Sequence, residues 1–475
     1  MIREPDITVC HKDYTKYLPR WTRIKTVMEG ADAVKASGEA LLPKLPGQSR
    51  ESYEHYRERA VFFNAAGKTL ELYTSMVFSK APTVKGLDET SPILEDADLR
   101  GKPFEELLED TLANVIGFGR CGILVDYSGA VPEGMSLAEA ERGEARPYMT
   151  IYPALSITNW HTGRHGGRTI PDRIVIRETV EDATGEDIDQ YRELLLIKEI
   201  YTVRKWKTLA GTIKGRKEIQ WMVTGKTIPI MNGEPLNFIP FFFLDAASGS
   251  AECRTPPLLD LVDINISHYR TMADLEHGRF HSGLPTPIFA GFNFQEGDAV
   301  KLGSTEGISS NLPDAKAYYL EFTGQGLAAL ENAAKQKEAW MIQLGSGLLD
   351  FYKSGKEATE TLMIRRSGAN ATIGRMAMAV SEIMTKALKL TARWAGLPFD
   401  EVKVQLLTEY LPENITPQEI SILLEAVQTG NYRRIDWLYR LKNAGILGQE
   451  VKPEKIEEEL GKKHTEVEQV GFKAA

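Results

Sequence analysis

The stretch PPLLDLVDINISHYRTMADLEHGRF, residues 256–280, opens the block on which the reading of the fold turns. Its two prolines suit a helix start, and Leu258, Leu261, Ile264, Ile266, Tyr269, Met272 and Leu275 keep roughly helical phase until Gly283, Pro285 and Pro287 stop it. Beyond it, PIFAGFNF, AVKL and AYYLEF are short β-like runs separated by glycines and by Ser-Ser-Asn, which predicts a small β insert. A second helix is expected from Leu327 to Leu344, ending where Gly345 and Gly347 break the pattern.

The next segment, GSGLLDFYKSGKEAT, reads as a loop that combines apolar Leu348, Leu349, Phe351 and Tyr352 with Lys353 and Lys356. Apolar side chains on an exposed loop face a partner. From Ala358 to Ala395 no proline interrupts the chain, and Leu362, Ala369, Ile373, Met376, Val380, Ile383, Ala387, Leu390 and Trp394 recur at helical steps. A helix of that length spans roughly 55 to 60 Å, enough to bridge regions or line an assembly. The small residues Gly368, Ala369, Ala371, Gly374, Ala377 and Ala379 permit close helix approach or a kink.

Upstream, Tyr17, Leu18, Trp21, Ile24 and Met28 predict a short helix. A single long helix is expected next, capped by Ser49 or Ser52, carrying Tyr53, Tyr56, Ala60, Phe63, Leu70, Tyr73 and Val77 on one face and ending at Pro82. Another starts near Pro103, with Glu105 and Glu106 where the helix dipole favours negative charge. It leads through GFGRCGILVDYSG into β-like runs: GILVDY, YMTIYP, RIVIRE, LLLIKEIYTVRKW and KEIQWMV, the last two separated by a turn-rich LAGTIKGR. An antiparallel β region from about Gly122 to Phe243 follows. Downstream, Val402–Leu407 reads as a strand. Thr416, Pro417 and Glu419 start a helix that ends at Gly430, and another runs from Arg434 to Asn443.

The chain of 475 residues is long enough for two to four domains, and a net charge of −9 argues against wrapping nucleic acid through bulk positive charge. Its three cysteines, Cys10, Cys121 and Cys253, have no finger or CxxC spacing, so free thiols in a reducing compartment are expected. MIREPDITV lacks the features of a signal peptide, and FIPFFFLDAA is too short to cross a bilayer, so no membrane is expected.

Gly117, Gly119 and Gly122 spell a GxGxxG, but a helix precedes it and a strand follows, the reverse of a dinucleotide-binding turn. A helix-to-strand turn is the preferred reading. His277 and His281, and His161 and His165 in a glycine-rich loop, stand four apart without a third ligand at a recognisable spacing, so hydrogen-bonded or solvated histidines are preferred to a metal site. Glu105, Glu106, Glu109 and Asp110 read as a solvated helix face, and there is no phosphate loop or nucleophile elbow. No catalytic residue, metal or cofactor is expected, and the chain is read as not an enzyme. Arg204, Lys205, Lys207, Lys214, Arg216 and Lys217 crowd a predicted hairpin with Trp206 and Trp221. That cluster suits either nucleic acid or a charged edge that resists strand aggregation, and the edge is preferred.

The order of elements resembles the portal, or head-to-tail connector, proteins of tailed bacteriophages. Besides that order, the stretches ESYEHYRERAVFFNAAGKTLELYTSMVFSKAP (51–82), RPYMTIYPALSITNW (146–160), residues 256–280 and ITPQEISILLEAVQTGNYRRIDWLYRLKNAGIL (415–447) carry the resemblance. It implies a helix-rich α+β fold with wing, stem, clip and crown, assembling as a ring. The implied wing is 1–254, with stem helices at 255–281 and 326–344, a clip at 282–325, a channel loop at 345–357, a long wing helix at 358–398, and crown plus tail at 399–475.

The resemblance further implies a dodecameric ring at one capsid vertex of the virion, made in the host cytoplasm, through which double-stranded DNA is packaged and ejected. Its implied partners are terminase, a head-tail adaptor, and major capsid or scaffold protein. Lys353 and Lys356 then touch DNA, while Leu348, Leu349 and Phe351 pack against neighbouring loops. The alternatives are another virion component of tail or scaffold type and a cytosolic nucleotide-binding enzyme.

Overall fold

The computed structural model describes residues 6–128, 146–165, 167–182, 184–213, 216–283, 286–292, 312–320, 325–345, 359–408, 417–443, 446–447 and 451–457. Two units are distinguished, Met1–Leu406 and Leu407–Ala475. The first begins with α1 (Lys12–Met28), whose buried Tyr14, Tyr17, Trp21, Ile24 and Val27 form one stripe. Trp21 is fully buried, and its indole donates to the Phe118 carbonyl at 3.0 Å, so the ring is buried without leaving its polar atom unmet. α2 (Ala31–Ala36) and a short 3₁₀ turn follow.

The single helix expected between Ser49 and Pro82 is instead two. α3 (Arg50–Arg59) starts at Ser49, whose hydroxyl accepts from Ser52 N at 3.1 Å, and α4 (Ala65–Val77) starts at Asn64, whose side chain accepts from Gly67 N at 2.9 Å. The cause of the break is tertiary. The buried Asn265 amide takes over the local backbone groups, accepting from Ala66 N at 3.0 Å and donating to Phe63 O at 2.7 Å.

β1 (Thr83–Lys85) and α5 (Pro92–Glu95) lead to α6 (Phe104–Phe118), which buries Leu107, Leu108, Leu112, Val115 and Ile116. It stops on Gly119, left-handed at φ 72, whose N–H returns to Val115 O at 2.9 Å. Next comes β2 (Arg120–Tyr127), the centre of an antiparallel sheet between β3 (Pro147–Pro153) and β11 (Phe241–Asp245). Gly122 faces Phe241 so closely that a Cβ would overlap its ring.

A second sheet is a five-stranded meander of β4 (Ile157–His165), β5 (Arg168–Glu181), β6 (Asp187–Ile197), β7 (Ile200–Ile213) and β8 (Arg216–Thr227), each strand antiparallel to the next. The run LLLIKEIYTVRKW, expected as one strand, folds back at Lys198 and Glu199, both at positive φ, with Ile197 paired to Ile200. Leu209–Ile213, expected within a turn, continues β7 instead. His161 and His165, expected in a loop, lie in β4. A two-residue pair, β9 (Ile230–Met231) and β10 (Glu234–Pro235), precedes β11.

The block from residue 256 consists of α7 (Leu259–Gly283), the antiparallel strands β12 (Thr286–Ala290) and β13 (Lys316–Leu320), α8 (Gln325–Leu344) and α9 (Thr359–Trp394). At 36 residues α9 is about 54 Å long. Its C-terminal part buries Ile373, Val380, Ile383, Met384, Ala387 and Leu388. Ser381 and Thr385 hydroxyls accept from Leu406 N at 3.0 Å and Val404 N at 2.9 Å, which ties β14 (Lys403–Gln405) alongside it. β14 in turn pairs with β1.

In the second unit α10 (Pro417–Gln428) ends before Gly430, left-handed at φ 77, and α11 (Arg434–Asn443) follows. The helix bounds expected there agree closely. The protein is therefore mixed α+β, as the sequence predicts.

Candidate functional site

The α7–α8 hairpin is the pair of elements that the sequence expects as stem helices. Arg279 on α7 meets Glu331 on α8 at 2.8 Å, Thr271 meets Lys337 at 2.5 Å, and His268 meets Glu338 at 3.7 Å. As the α7 number falls the α8 number rises, so the helices are antiparallel, and the β12–β13 pair lies in the connection between them. The α7 end is fixed by four attachments. Asp263 pairs with Arg23 of α1 at 3.1 Å, Asn265 holds the α3–α4 break, Arg270 Nε donates to Leu41 O at 2.7 Å, and Asp274 accepts from the Tyr56 hydroxyl at 2.6 Å.

α8 is less enclosed. Among its described side chains only Ala334 and Met341 are buried, whereas Trp340 and Leu344 are each 43% exposed. Tyr318 and Tyr319 on β13 are also exposed. A firmly attached helix thus carries a second helix with an open face and an aromatic strand.

Lys353, Lys356, Leu348, Leu349 and Phe351, the residues assigned to the channel loop, lie outside the described residues, as does the AVKL run. The structure fixes what brackets the loop: Gly345 N donates to Met341 O at 2.8 Å at the end of α8, and α9 starts at Thr359.

The other sequence candidates resolve in different ways. Gly117, Gly119 and Gly122 form a helix-to-strand turn, with Gly119 at the end of α6 and Gly122 inside β2. A Cβ at Gly119 would sit 3.1 Å from Pro256 Cα, and the tightness of that turn is a packing requirement. The His277 and His281 rings meet edge to face at 4.5 Å, and Tyr56 lies edge-on to His277 at 5.2 Å. Burial, then His281 and Arg59, lower the pKa of His277. His161 Nδ1 is 2.6 Å from Asp172, which spans toward His165 at 3.8 Å. Among the described residues no group of three or more candidate ligands could hold a metal ion.

In the basic cluster, Trp206 is buried with Ile7, Val175 and Tyr191, its indole donating to Glu193 at 3.0 Å, and Trp221 packs on that group. The Trp206 ring belongs to the sheet core, and Trp221 is partly buried against it. The side chains of Lys214, Arg216 and Lys217 lie outside the described residues. Of the α6 carboxylates, Glu106 and Asp110 pair with Lys102 at 3.6 and 2.5 Å.

Sequence reasoning missed one half-buried and one buried cation. Arg192 on β6 reaches Asp126 and Glu178, each at 2.9 Å; the pair with Asp126 on β2 joins the two sheets, and the pair with Glu178 on β5 lies within one. Arg120, 1% exposed, lies 3.9 Å over the Trp160 ring. Neither follows a charge pattern along one strand, since the partners come from other strands.

A cavity of about 700 Å³ lies beside the C-terminal end of α9, lined by Tyr127, Trp394, Leu397, Pro92, Asp88 and Arg146 among others. Arg146 is committed to Asp96 at 2.7 Å and Pro92 O at 3.0 Å. Among the described residues no helix is long and apolar enough to cross a membrane.

A family model described as a domain of unknown function, DUF4055, matches residues 257–395, the span from α7 through α9. No curated protein matches the chain. Among solved structures, the chain is similar to a chain in the neck of an empty GTA particle computed with C6 symmetry, at 12% identity and TM-score 0.38, covering 84% of this chain and 96% of that one. It is also similar to a chain of the virion of a native gene transfer agent particle, at 12% identity and TM-score 0.34, covering 84% and 94%. A third similarity is to the neck of a native GTA particle computed with C12 symmetry, at 11% identity and TM-score 0.37, covering 85% and 96%.

Proposed function

We propose that this chain is a portal subunit: copies close into a ring of twelve at the head-to-tail junction of a phage-type particle, and double-stranded DNA passes through the hole. The observation that carries the reading is the α7–α8 antiparallel hairpin, with a β pair in its connection and a 36-residue helix after it. The resemblance of the sequence to portal proteins, over nearly the whole chain, supports it.

In this reading α7 and α8 are the stem, the β12–β13 region is the clip that docks terminase and the head-tail adaptor, and residues 345–357 line the channel. The exposed Trp340 and Leu344 suit contact with another copy, because interfaces favour large aromatic anchors. Lys353 and Lys356 supply a weak, sequence-independent hold on phosphates. A net charge of −9 suits a conduit, since a strongly basic wall would retain DNA instead of letting it slide. No reaction is proposed for the chain; ATP hydrolysis belongs to the terminase. Light scattering of the purified full chain tests the ring: a mass near twelve chains is expected, and a mass that grows without limit with concentration would overturn the closed ring.

A further inference from the structure

Arg120, the first residue of β2, is a buried cation without an anion among the described residues. Its guanidinium carbon lies 3.9 Å over Trp160 and 4.8 Å over Phe243, and the side chain is 1% exposed. Nη1 donates to the Cys253 sulfur at 2.8 Å, while Nε and Nη2 have no hydrogen-bond partner among the described residues. It forms no ion pair with a carboxylate among the described residues, and Asp13 acts on it only at longer range. A guanidinium does not lose its proton in a protein, so burial leaves a fixed positive charge. Two aromatic faces offset part of the desolvation; they supply no counter-charge and satisfy neither free donor.

The side chain placed where an anion is wanted is a thiol. Cys253 is half-buried, and it lies in the connection between β11 and α7. Burial pushes the Cys253 thiol above its ordinary value and Arg120 offsets only part of that rise, so what marks this sulfur is its position beside the guanidinium and not a lowered pKa. The other two cysteines differ. Cys121 is fully buried, its thiol pushed up to about 12; Cys10 is half-buried like Cys253, raised by burial with Arg177 opposing, but its sulfur donates to the Thr8 carbonyl at 3.6 Å, an acceptor that repels an anion.

We propose that Cys253 is a site of oxidative modification, at which a sulfinate held by Arg120 supplies the missing counter-charge and fastens the β11–α7 connection to β2. The oxidant is a peroxide. In the first step the sulfur attacks one peroxide oxygen, the O–O bond breaks, an S–O bond forms and water leaves with the thiol proton, giving a sulfenic acid. A second peroxide adds the second oxygen in the same way and releases a second water. Sulfur loses four electrons in total, two to each peroxide, and the sulfinic acid gives its proton to solvent. Its two oxygens then meet donors of the guanidinium fork, the bidentate geometry in which arginine binds oxyanions.

The test uses the full chain. Hydrogen peroxide followed by peptide mass spectrometry is expected to place two added oxygen atoms on Cys253 ahead of Cys10 and Cys121. C253D puts a permanent carboxylate at the same position and is expected to raise Tm by about 2 to 4 °C. In an R120M background the same C253D change is expected to lower Tm, because the carboxylate then has no cation. A lower Tm for C253D with Arg120 intact, or peroxide oxidation that spares Cys253 while modifying Cys10, would overturn the proposal. If R120M does not fold, the C253D melt and the peroxide map decide the matter by themselves.

Discussion

The side-chain oxygen of Asn265 on α7 accepts from the Ala66 amide at 3.0 Å, and its nitrogen donates to Phe63 O at 2.7 Å. One buried amide thereby splits what would be a single helix and fastens α7 to both halves. N265A leaves a donor and an acceptor without partners, and the expected loss is about 2 to 4 kcal/mol in urea unfolding. Unchanged stability would mean that the break forms without the amide.

The three glycines of the α6–β2 turn are expected to respond differently when replaced by alanine. At Gly117 a Cβ meets nothing within 4 Å, so G117A should be neutral or stabilising by up to about 1 kcal/mol through helix propensity. G119A forces a left-handed alanine at φ 72 against Pro256 and should cost about 1 to 2 kcal/mol. G122A overlaps the Phe241 ring and should cost about 1 to 3 kcal/mol. Thermal melts of the three variants check this order. A nucleotide-binding turn would instead show saturable dinucleotide binding that G117A abolishes.

Acid should loosen the attachments of α7. Burial lowers the pKa of His268, with Glu338 opposing and Lys337 adding to the shift; burial, His281 and Arg59 lower His277, with Asp274 opposing. A depressed histidine favours its neutral form in the fold, so the contribution is fully present above the ordinary value of 6.5. It is lost as pH falls below that value, until the folded-state pKa is reached. Tm measured from about pH 7.5 to about pH 5.5 should fall, and the H268Q and H277Q double variant should fall less steeply. Equal slopes would rule out these two histidines as the cause.

The loop assignment predicts a separation of functions. Replacing Lys353 and Lys356 together by alanine should leave the mass of the assembly unchanged while lowering DNA retained in particles. Loss of assembly would make the loop structural.

Much of the fold was legible because its long helices repeat one stripe many times. Ile373, Val380, Ile383 and Ala387 mark the α9 face so often that its bounds, Thr359–Trp394, lie within a residue of those expected. The α3–α4 break was hidden because Asn265 lies 199 positions beyond Ala66. The β6–β7 turn was hidden for a different reason. Two charged residues, Lys198 and Glu199, take left-handed geometry without glycine or proline to announce it. In the basic hairpin the alternation of lysine and tryptophan was visible, but its meaning depended on Glu193 of the preceding strand, β6, which holds Trp206 inward. The candidate loop was legible only as composition, two lysines among apolar residues, and its position in the channel follows from the portal reading alone.

Negative-stain electron microscopy of the purified chain is the measurement that distinguishes a closed ring from other assemblies. Annular particles with an axial hole and twelve repeating units are expected, matching the mass from light scattering. Filaments, shells or particles without a central hole would contradict the closed ring.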